Sequence, residues 1–408
     1  MSSLLCGNGK LIVPCVLLLN ISMTKNLYCY DKFNQILVDV ENRFLYNCCH
    51  AYPERLNITE CEKDPTKIIL SDQMVKDRKL MLENKRYKSC EVCFGAEDRG
   101  EVSYRHYVNK EDMYEPGTEP YDPYMIPRTI TISTSTDCNM ACVYCSPRLS
   151  SSWRQIVYKH GPVGVNELTS MNKVQMKLKQ HQRSQSKFFK LLMTAIENNI
   201  DNINRIVLSG GEPLLNKNFF KFIEKFYDKV KIQVVTGLGT PNRIFQKFLK
   251  LASRLNIDVA VSAETVGTDY EFIRYDKDNG MPWERFCGRL KMLDQYNINY
   301  EFASAHCNLS TFRYKEFVTT FGHKKQFLNF VTDPYYLKPC VLDPESKEKF
   351  IKEHSNDPLQ KRFIDLVSLE CSEHDRVGCA NYLKRLSEIR NISLKTFPNS
   401  FLNWLNIN

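Results

Sequence analysis

Three cysteines, Cys138, Cys142 and Cys145, lie within the run Thr-Asp-Cys-Asn-Met-Ala-Cys-Val-Tyr-Cys, a CxxxCxxC spacing. Thiolates are soft ligands that suit zinc and iron–sulfur clusters. A closed site of either kind takes about four protein ligands. Three cysteines instead hold three irons of a cubane [4Fe–4S] cluster and leave the fourth iron open to a substrate or cofactor. The competing readings are a zinc knuckle lacking its fourth ligand and an accidental cluster of cysteines.

Further chemistry-bearing residues follow in order. Ser209-Gly-Gly-Glu-Pro213 combines Gly210 and Gly211, which let backbone approach a ligand closely, with the Glu212 carboxylate. Neighbouring carbonyls and Glu212 can accept hydrogen bonds from an ammonium group. Thr236-Gly-Leu-Gly-Thr240 follows the third apolar run and is either a ligand-facing loop or a turn alone. In Ser262-Ala-Glu264, extended backbone puts Ser262 and Glu264 on one side, with Arg274 close behind. A second cysteine set precedes all of these: Cys48, Cys49, Cys61, and the pair Cys90 and Cys93 in Lys-Ser-Cys-Glu-Val-Cys. Two-residue spacing suits chelation of one metal ion or cluster. His50 and His306 read as satisfied polar residues, and Cys29 and the remaining cysteines mostly as small apolar fillers.

These motifs need elements to position them. Short apolar runs at Thr129–Ser135, Arg205–Leu208, Lys231–Val235, Asp258–Ser262, Asn299–Ala303 and Phe327–Val331 alternate with helical patterns. The helical patterns are Lys187–Asn198, Phe219–Val230, Arg243–Leu255, Trp283–Tyr296 and Phe312–Phe321. The alternation predicts parallel strands. Six such units make a partial (β/α)6 TIM-type barrel, with reactive groups where strands end and loops begin. The cysteine loop, the Gly-Gly-Glu turn, the Thr-Gly-Leu-Gly loop and Ser-Ala-Glu all fall at such ends. The stretch from Trp153 to Ser186 reads as a linker with a basic stripe at Lys173, Lys177, Lys179 and Arg183.

At Cys138, Cys142 and Cys145, with the aromatic Tyr144 before the last cysteine, the chain resembles the radical S-adenosylmethionine (SAM) superfamily. The resemblance implies that SAM chelates the open iron and that one electron from the cluster releases a 5′-deoxyadenosyl radical. It also implies that Gly210, Gly211 and Glu212 meet the SAM amino group and that Ser262 and Glu264 meet its ribose. Arg274 would meet its carboxylate or pair with Glu264, and Tyr144 would pack near the adenine. The usual Asn of the third loop is Gly237 here. The N-terminal cysteines resemble the SPASM/Twitch module, which holds an auxiliary [4Fe–4S] cluster. The module stands before the barrel, as in a group of Twitch-containing proteins that includes phage-encoded examples. Cys90 and Cys93 are the expected ligands, joined by Cys48 or Cys49 and completed by Cys61; a zinc site from the same residues is the alternative.

The expected organisation is a leader at 1–22, a Twitch/SPASM-like domain at 23–120, a radical SAM core at 125–332 and a mostly helical extension at 333–408. The chain has 408 residues, 43% of them hydrophobic, enough for a large core. Sixteen cysteines in close sets beside such a motif favour metal ligation in a reducing cytoplasm over disulfides. No apolar run reaches the roughly 18–20 residues that span a bilayer. The run Leu11–Leu19 follows only one Lys and makes a poor signal peptide. A net charge of +9 permits contact with nucleic acid or an acidic peptide. The resemblance implies a peptide or protein substrate and a low-potential donor such as flavodoxin or ferredoxin; the basic balance makes RNA or a nucleotide the second choice. A non-catalytic zinc protein is the reading from a different class.

Overall fold

A computed structural model describes residues 27–48, 50–100, 103–109, 121–164, 182–255, 257–276, 281–357 and 360–407. The leader at 1–22, Cys49, Lys173, Lys177 and Lys179 lie outside them. One nine-stranded sheet organises the chain: β1 (Gln35–Asp39), β2 (Phe44–Tyr46), β3 (Glu54–Arg55), β4 (Thr129–Ser133), β5 (Arg205–Ser209), β6 (Lys231–Thr236), β7 (Asp258–Val261), β8 (Tyr300–His306) and β9 (Gln326–Phe330). Its order is β3-β2-β1-β4-β5-β6-β7-β8-β9, parallel from β1 through β9, with β2 and β3 antiparallel.

The six expected strands form at their expected places. Alternation in β4 buries Ile130 and Ile132, and in β5 it buries Ile206 and Leu208. The sequence reading missed β1, which pairs with β4 from Gln35↔Thr129 to Asp39↔Ser133 and adds a seventh parallel strand. Its Ile-Leu-Val core is too short to separate from the cysteine-rich surroundings by pattern alone.

Sixteen helices are described, in chain order α1 (Tyr30–Asn34), α2 (Ile58–Lys63), α3 (Asp72–Leu82), α4 (Glu91–Asp98), α5 (Tyr104–Val108), α6 (Ser151–His160), α7 (Gln182–Asn198), α8 (Phe219–Phe226), α9 (Asn242–Leu255), α10 (Gly267–Ile273), α11 (Trp283–Gln295), α12 (Tyr314–Phe321), α13 (Pro344–His354), α14 (Lys361–Ser368), α15 (Glu373–Arg390) and α16 (Asn399–Trp404). The crossover helices bury one stripe each; α9 does so with Phe245, Phe248, Leu249 and Ala252 at helical spacing. The expected linker after Ser150 is instead α6 at its start. Ser150 caps it by accepting from the Trp153 amide, and Trp153, Ile156 and Val157 form its buried face. The longest helix among the described residues, α15, starts on a Ser372 cap and ends at Asn391 in the left-handed conformation.

The N-terminal segment is tied into the sheet rather than merely preceding it. Arg78, wholly buried on α3, donates to the carbonyls of Lys32 (3.0 Å), Phe33 (2.9 Å), Pro123 (3.1 Å) and Met125 (2.6 Å). It thereby fastens the chain entering β1 to the chain entering β4. A buried Lys32–Asp77 pair at 3.0 Å, shared with Ser89, sits beside it. Among the described residues no helix is long and apolar enough to cross a membrane.

Candidate active site

The cysteine loop leaves β4 without regular structure, so its buried backbone groups need partners from elsewhere. They come from three directions. The Cys138 carbonyl accepts from Ser151 (3.0 Å) and Ser152 (2.8 Å), and the Met140 carbonyl accepts from Ser150 (2.8 Å). The Cys142 carbonyl accepts the Trp153 indole N–H at 2.8 Å. From α15, far away in sequence, Arg390 donates to the Ala141 carbonyl and the Tyr382 hydroxyl donates to the Val143 carbonyl at 2.5 Å. The amides of Ala141 and Val143 donate to the carbonyls of Tyr275 and Ile273, just past α10 and at its end. Sequence reasoning found no mechanistic signal in the C-terminal extension, yet that extension supplies two of these clamps.

The second loop locks onto the first. The amides of Gly211 and Glu212 donate to the carbonyls of Ser135 (2.9 Å) and Asp137 (2.7 Å). A Cβ on Gly210, where φ is +128°, would sit 2.6 Å from the Ser135 carbonyl oxygen. One on Gly211 would sit 2.5 Å from that of Asp137. The glycines are therefore required by the contact between two loops. Gly237 on the third loop faces Met140, whose sulfur a Cβ would approach to 2.8 Å.

Glu212 is almost wholly buried. Its carboxylate accepts from the Thr236 hydroxyl (2.9 Å to each oxygen), the Gly237 amide (3.1 Å) and the Leu214 amide (3.3 Å). Burial raises its pKa to about 7, against the opposing pull of these hydrogen bonds and of Arg289. Burial likewise pushes up the thiols of Cys138, Cys142 and Cys145, the last to about 12; at Cys142 the Arg274 charge opposes the effect.

All three cysteines, Gly210, Gly211, Glu212, Ser262, Tyr144 and Arg274 line one cavity of about 610 Å³. That is within the roughly 300–1,000 Å³ usual for ligand sites. Tyr46 and Asp39 from the N-terminal strands and Asp333 beyond β9 line it too, so the two ends of the sheet face each other across it. Glu264 is not among the lining residues. It is fully buried and its carboxylate is taken by Arg274, with Nε at 3.1 Å and Nη2 at 2.6 Å, and by the Tyr144 hydroxyl at 3.3 Å. The expected contact of Glu264 with a ribose gives way to this ion pair.

The second cysteine set regroups. Cys90 shares an apolar core with Cys29, Tyr87 and Phe94, and its thiol lies 3.3 Å from the Tyr87 hydroxyl. Cys90 and Cys93 are both electrostatic neighbours of Cys29. Cys29 has a backbone hydrogen bond from Lys32, and Cys93 has one from Arg105. Cys29, expected as a small apolar filler, is packed in that core beside the Cys90 and Cys93 pair. Cys61 sits elsewhere, in the main core beside Glu60, Asp64 and Glu54. Cys48 is buried and its sulfur accepts from the His50 amide at 3.4 Å; the next turn is tied to the Cys90 segment by the Tyr52 amide on the Ser89 carbonyl, 3.0 Å. His306 is not the satisfied residue expected: its Nε2 has no partner among the described residues, and burial lowers its pKa to about 3.

Among the described residues, no three His, Cys, Asp or Glu side chains gather as a site for one metal ion. Thiolates on a cubane each hold a different iron, and the three thiols border one cavity. The donor set also fits: three thiols, no acid among them, and an N–H on sulfur where the Met140 amide meets Cys138 Sγ at 3.4 Å.

A partial barrel whose strand ends present three thiols over an open cavity defines a class of enzyme. Residues 132–316, somewhat less than half of the chain, match the Radical SAM superfamily. Such a domain implies a [4Fe–4S] cluster and SAM. Among solved structures, the chain is similar to native anSMEcpe with bound AdoMet, at 16% identity over 55% of this chain and 58% of that one, TM-score 0.37. It is also similar to SuiB of Streptococcus suis bound to S-adenosylmethionine, at 12% identity over 84% of this chain and 75% of that one, TM-score 0.27. The chain thus spans 58% of the length of the first of these. No curated protein matches it.

Proposed function

We propose that this protein cleaves SAM reductively and uses the resulting radical to take a hydrogen atom from a peptide or protein. Cys138, Cys142 and Cys145 hold the cluster. When bound, the cluster supplies the electron that breaks the sulfur–carbon bond of SAM and frees the 5′-deoxyadenosyl radical. The rest is the work of the chain. Glu212 and the carbonyls beside Gly210 and Gly211 orient the SAM amino group, Ser262 accepts from or donates to the ribose, and Tyr144 packs against the adenine. Arg274, with one guanidinium edge free of Glu264, faces the cluster and the SAM carboxylate. Enclosure by the barrel keeps water and stray hydrogen donors away.

The observation that carries this reading is the shared cavity: three thiols, the Gly-Gly-Glu turn and Ser262 at three strand ends, with Arg274 at the end of α10, border one space. The test is direct. Anaerobically reconstituted protein with SAM and dithionite should release 5′-deoxyadenosine; protein that binds no iron and releases none overturns the proposal.

We further propose an auxiliary [4Fe–4S] cluster in a Twitch-like N-terminal region, held by Cys90 and Cys93. Its support is the buried company of those residues, which points to Cys29 as a partner in place of Cys61; Cys48, buried at the turn that Tyr52 ties to Ser89, would complete the set. A low-potential carrier such as flavodoxin or ferredoxin would reduce the clusters in a reducing cytoplasm. The net charge of +9 favours one second reading, RNA as substrate. The two separate by ionic strength, because binding to a phosphate backbone weakens steeply with salt.

A further inference from the structure

Three buried side chains, Arg274, Glu264 and Cys142, and the half-buried Tyr144 form a linked group at the cysteine loop. Arg274 Nη1 points at Cys142 Sγ, 3.8 Å away. Its other edge is committed to Glu264 in the two-pronged pair already described, with the carboxylate 0% exposed. Its guanidinium carbon lies over the Tyr144 ring, 5.3 Å from the centroid, and the Tyr144 hydroxyl returns to Glu264 Oε1. A guanidinium fork held on one side by a carboxylate and on a face by an aromatic ring has almost no freedom left. Arg274 also ends α10, and the adjoining residues Ile273 and Tyr275 hold the amides of Val143 and Ala141 on either side of Cys142. The orientation of the donor towards the sulfur is therefore fixed from both ends.

We propose that Arg274, aimed by Glu264, is a positioning residue that sets the reduction potential of the cluster through Cys142. The inference rests on the reading of Cys142 as a cluster ligand. Hydrogen bonds to ligating sulfurs, net charge and burial are the protein's means of setting an iron–sulfur potential. A positive N–H donor beside a thiolate stabilises the reduced cluster, which carries one more negative charge. Glu264 moderates that effect, since its charge lies on the far side of the same guanidinium. The pair is oriented with its positive end towards the sulfur. This role differs from a contact with the SAM carboxylate because it operates before SAM arrives.

The test is the midpoint potential of the SAM-free cluster, read by electron paramagnetic resonance in a redox titration. It is done on a Cys90→Ala/Cys93→Ala background so that one cluster is observed. Arg274→Gln should move the potential to more negative values and Glu264→Gln to more positive ones. Arg274→Lys, which keeps the charge but loses the fork, should fall between Arg274→Gln and the parent. Opposite shifts from neighbouring residues are not what general loosening would give. If Arg274→Gln takes up no cluster, Glu264→Gln and Arg274→Lys still decide the matter. Potentials equal to the parent in the variants that load, with only the SAM dissociation constant raised, would overturn the proposal. A parent protein that takes up neither iron nor sulfide would instead sink the cluster assignment beneath it.

Discussion

The Tyr382 hydroxyl donates to the Val143 carbonyl at 2.5 Å across 239 positions of sequence, joining the C-terminal helix α15 to the middle of the CxxxCxxC loop. Both residues are buried. A buried carbonyl stripped of its donor costs about 1–3 kcal/mol. Tyr382→Phe removes that donor and keeps the ring, which packs on Tyr336. It should lower the stability of the iron-free protein by that amount in denaturant unfolding and speed the loss of iron on chelator challenge. Unchanged values in both assays would show that α15 does not brace the loop.

Gly211 and Gly237 should respond differently to the same added methyl group. At Gly211 the new Cβ meets backbone, the Asp137 carbonyl oxygen, which cannot retreat without moving the loop. At Gly237 it meets the Met140 side chain, which can shift. Gly211→Ala should cut SAM affinity at least about tenfold, the equivalent of 1.4 kcal/mol, and Gly237→Ala should cut it less. Isothermal titration with the anaerobic protein measures both.

The environment of Glu212 makes a pH dependence that can be signed. Its pKa is raised to about 7, so the ligand-free protein favours the protonated acid. The stability this group contributes is fully present below the ordinary carboxylate range and is lost as pH rises through about 7. An ammonium ligand prefers the ionised form. SAM should therefore bind more tightly as pH rises through about 7, and Glu212→Gln should flatten that profile. A profile in the wild type as flat as in Glu212→Gln argues against contact with the SAM amino group.

Cys29 and Cys61 give a paired test of the auxiliary site. Cys29→Ser should lower iron and sulfide per chain by roughly one cluster's share, because it removes a buried neighbour of Cys90 and Cys93. Cys61→Ser, whose partners are acidic residues and the main core, should leave both unchanged. The reverse result restores the assignment made from spacing.

What the sequence disclosed and withheld follows the reach of each interaction. The six strands from Thr129 to Phe330 and the motifs at their ends were legible, because alternation and spacing are local patterns. The helix α6 was legible in principle: Trp153, Ile156 and Val157 repeat at helical spacing behind a Ser150 cap, but the basic stretch after it suggested a linker. The position of Cys29 beside Cys90 and the grip of Arg390 and Tyr382 on the cysteine loop were not, since they join segments far apart that carry no matching pattern. Glu264 shows an intermediate case. Its type and alternation put it at a strand end, yet its charge is spent on Arg274 ten residues later, a pairing the sequence left open.

The central claim is that three thiolates hold a cluster with one iron open to SAM. Mössbauer spectra of the Cys90→Ala/Cys93→Ala protein loaded with ⁵⁷Fe, taken with and without SAM, test it most directly. Binding should shift the parameters of about one iron in four, and Cys142→Ala should abolish the cluster altogether. Four irons that stay alike when SAM is added, or a preparation that holds zinc without sulfide, would contradict the account.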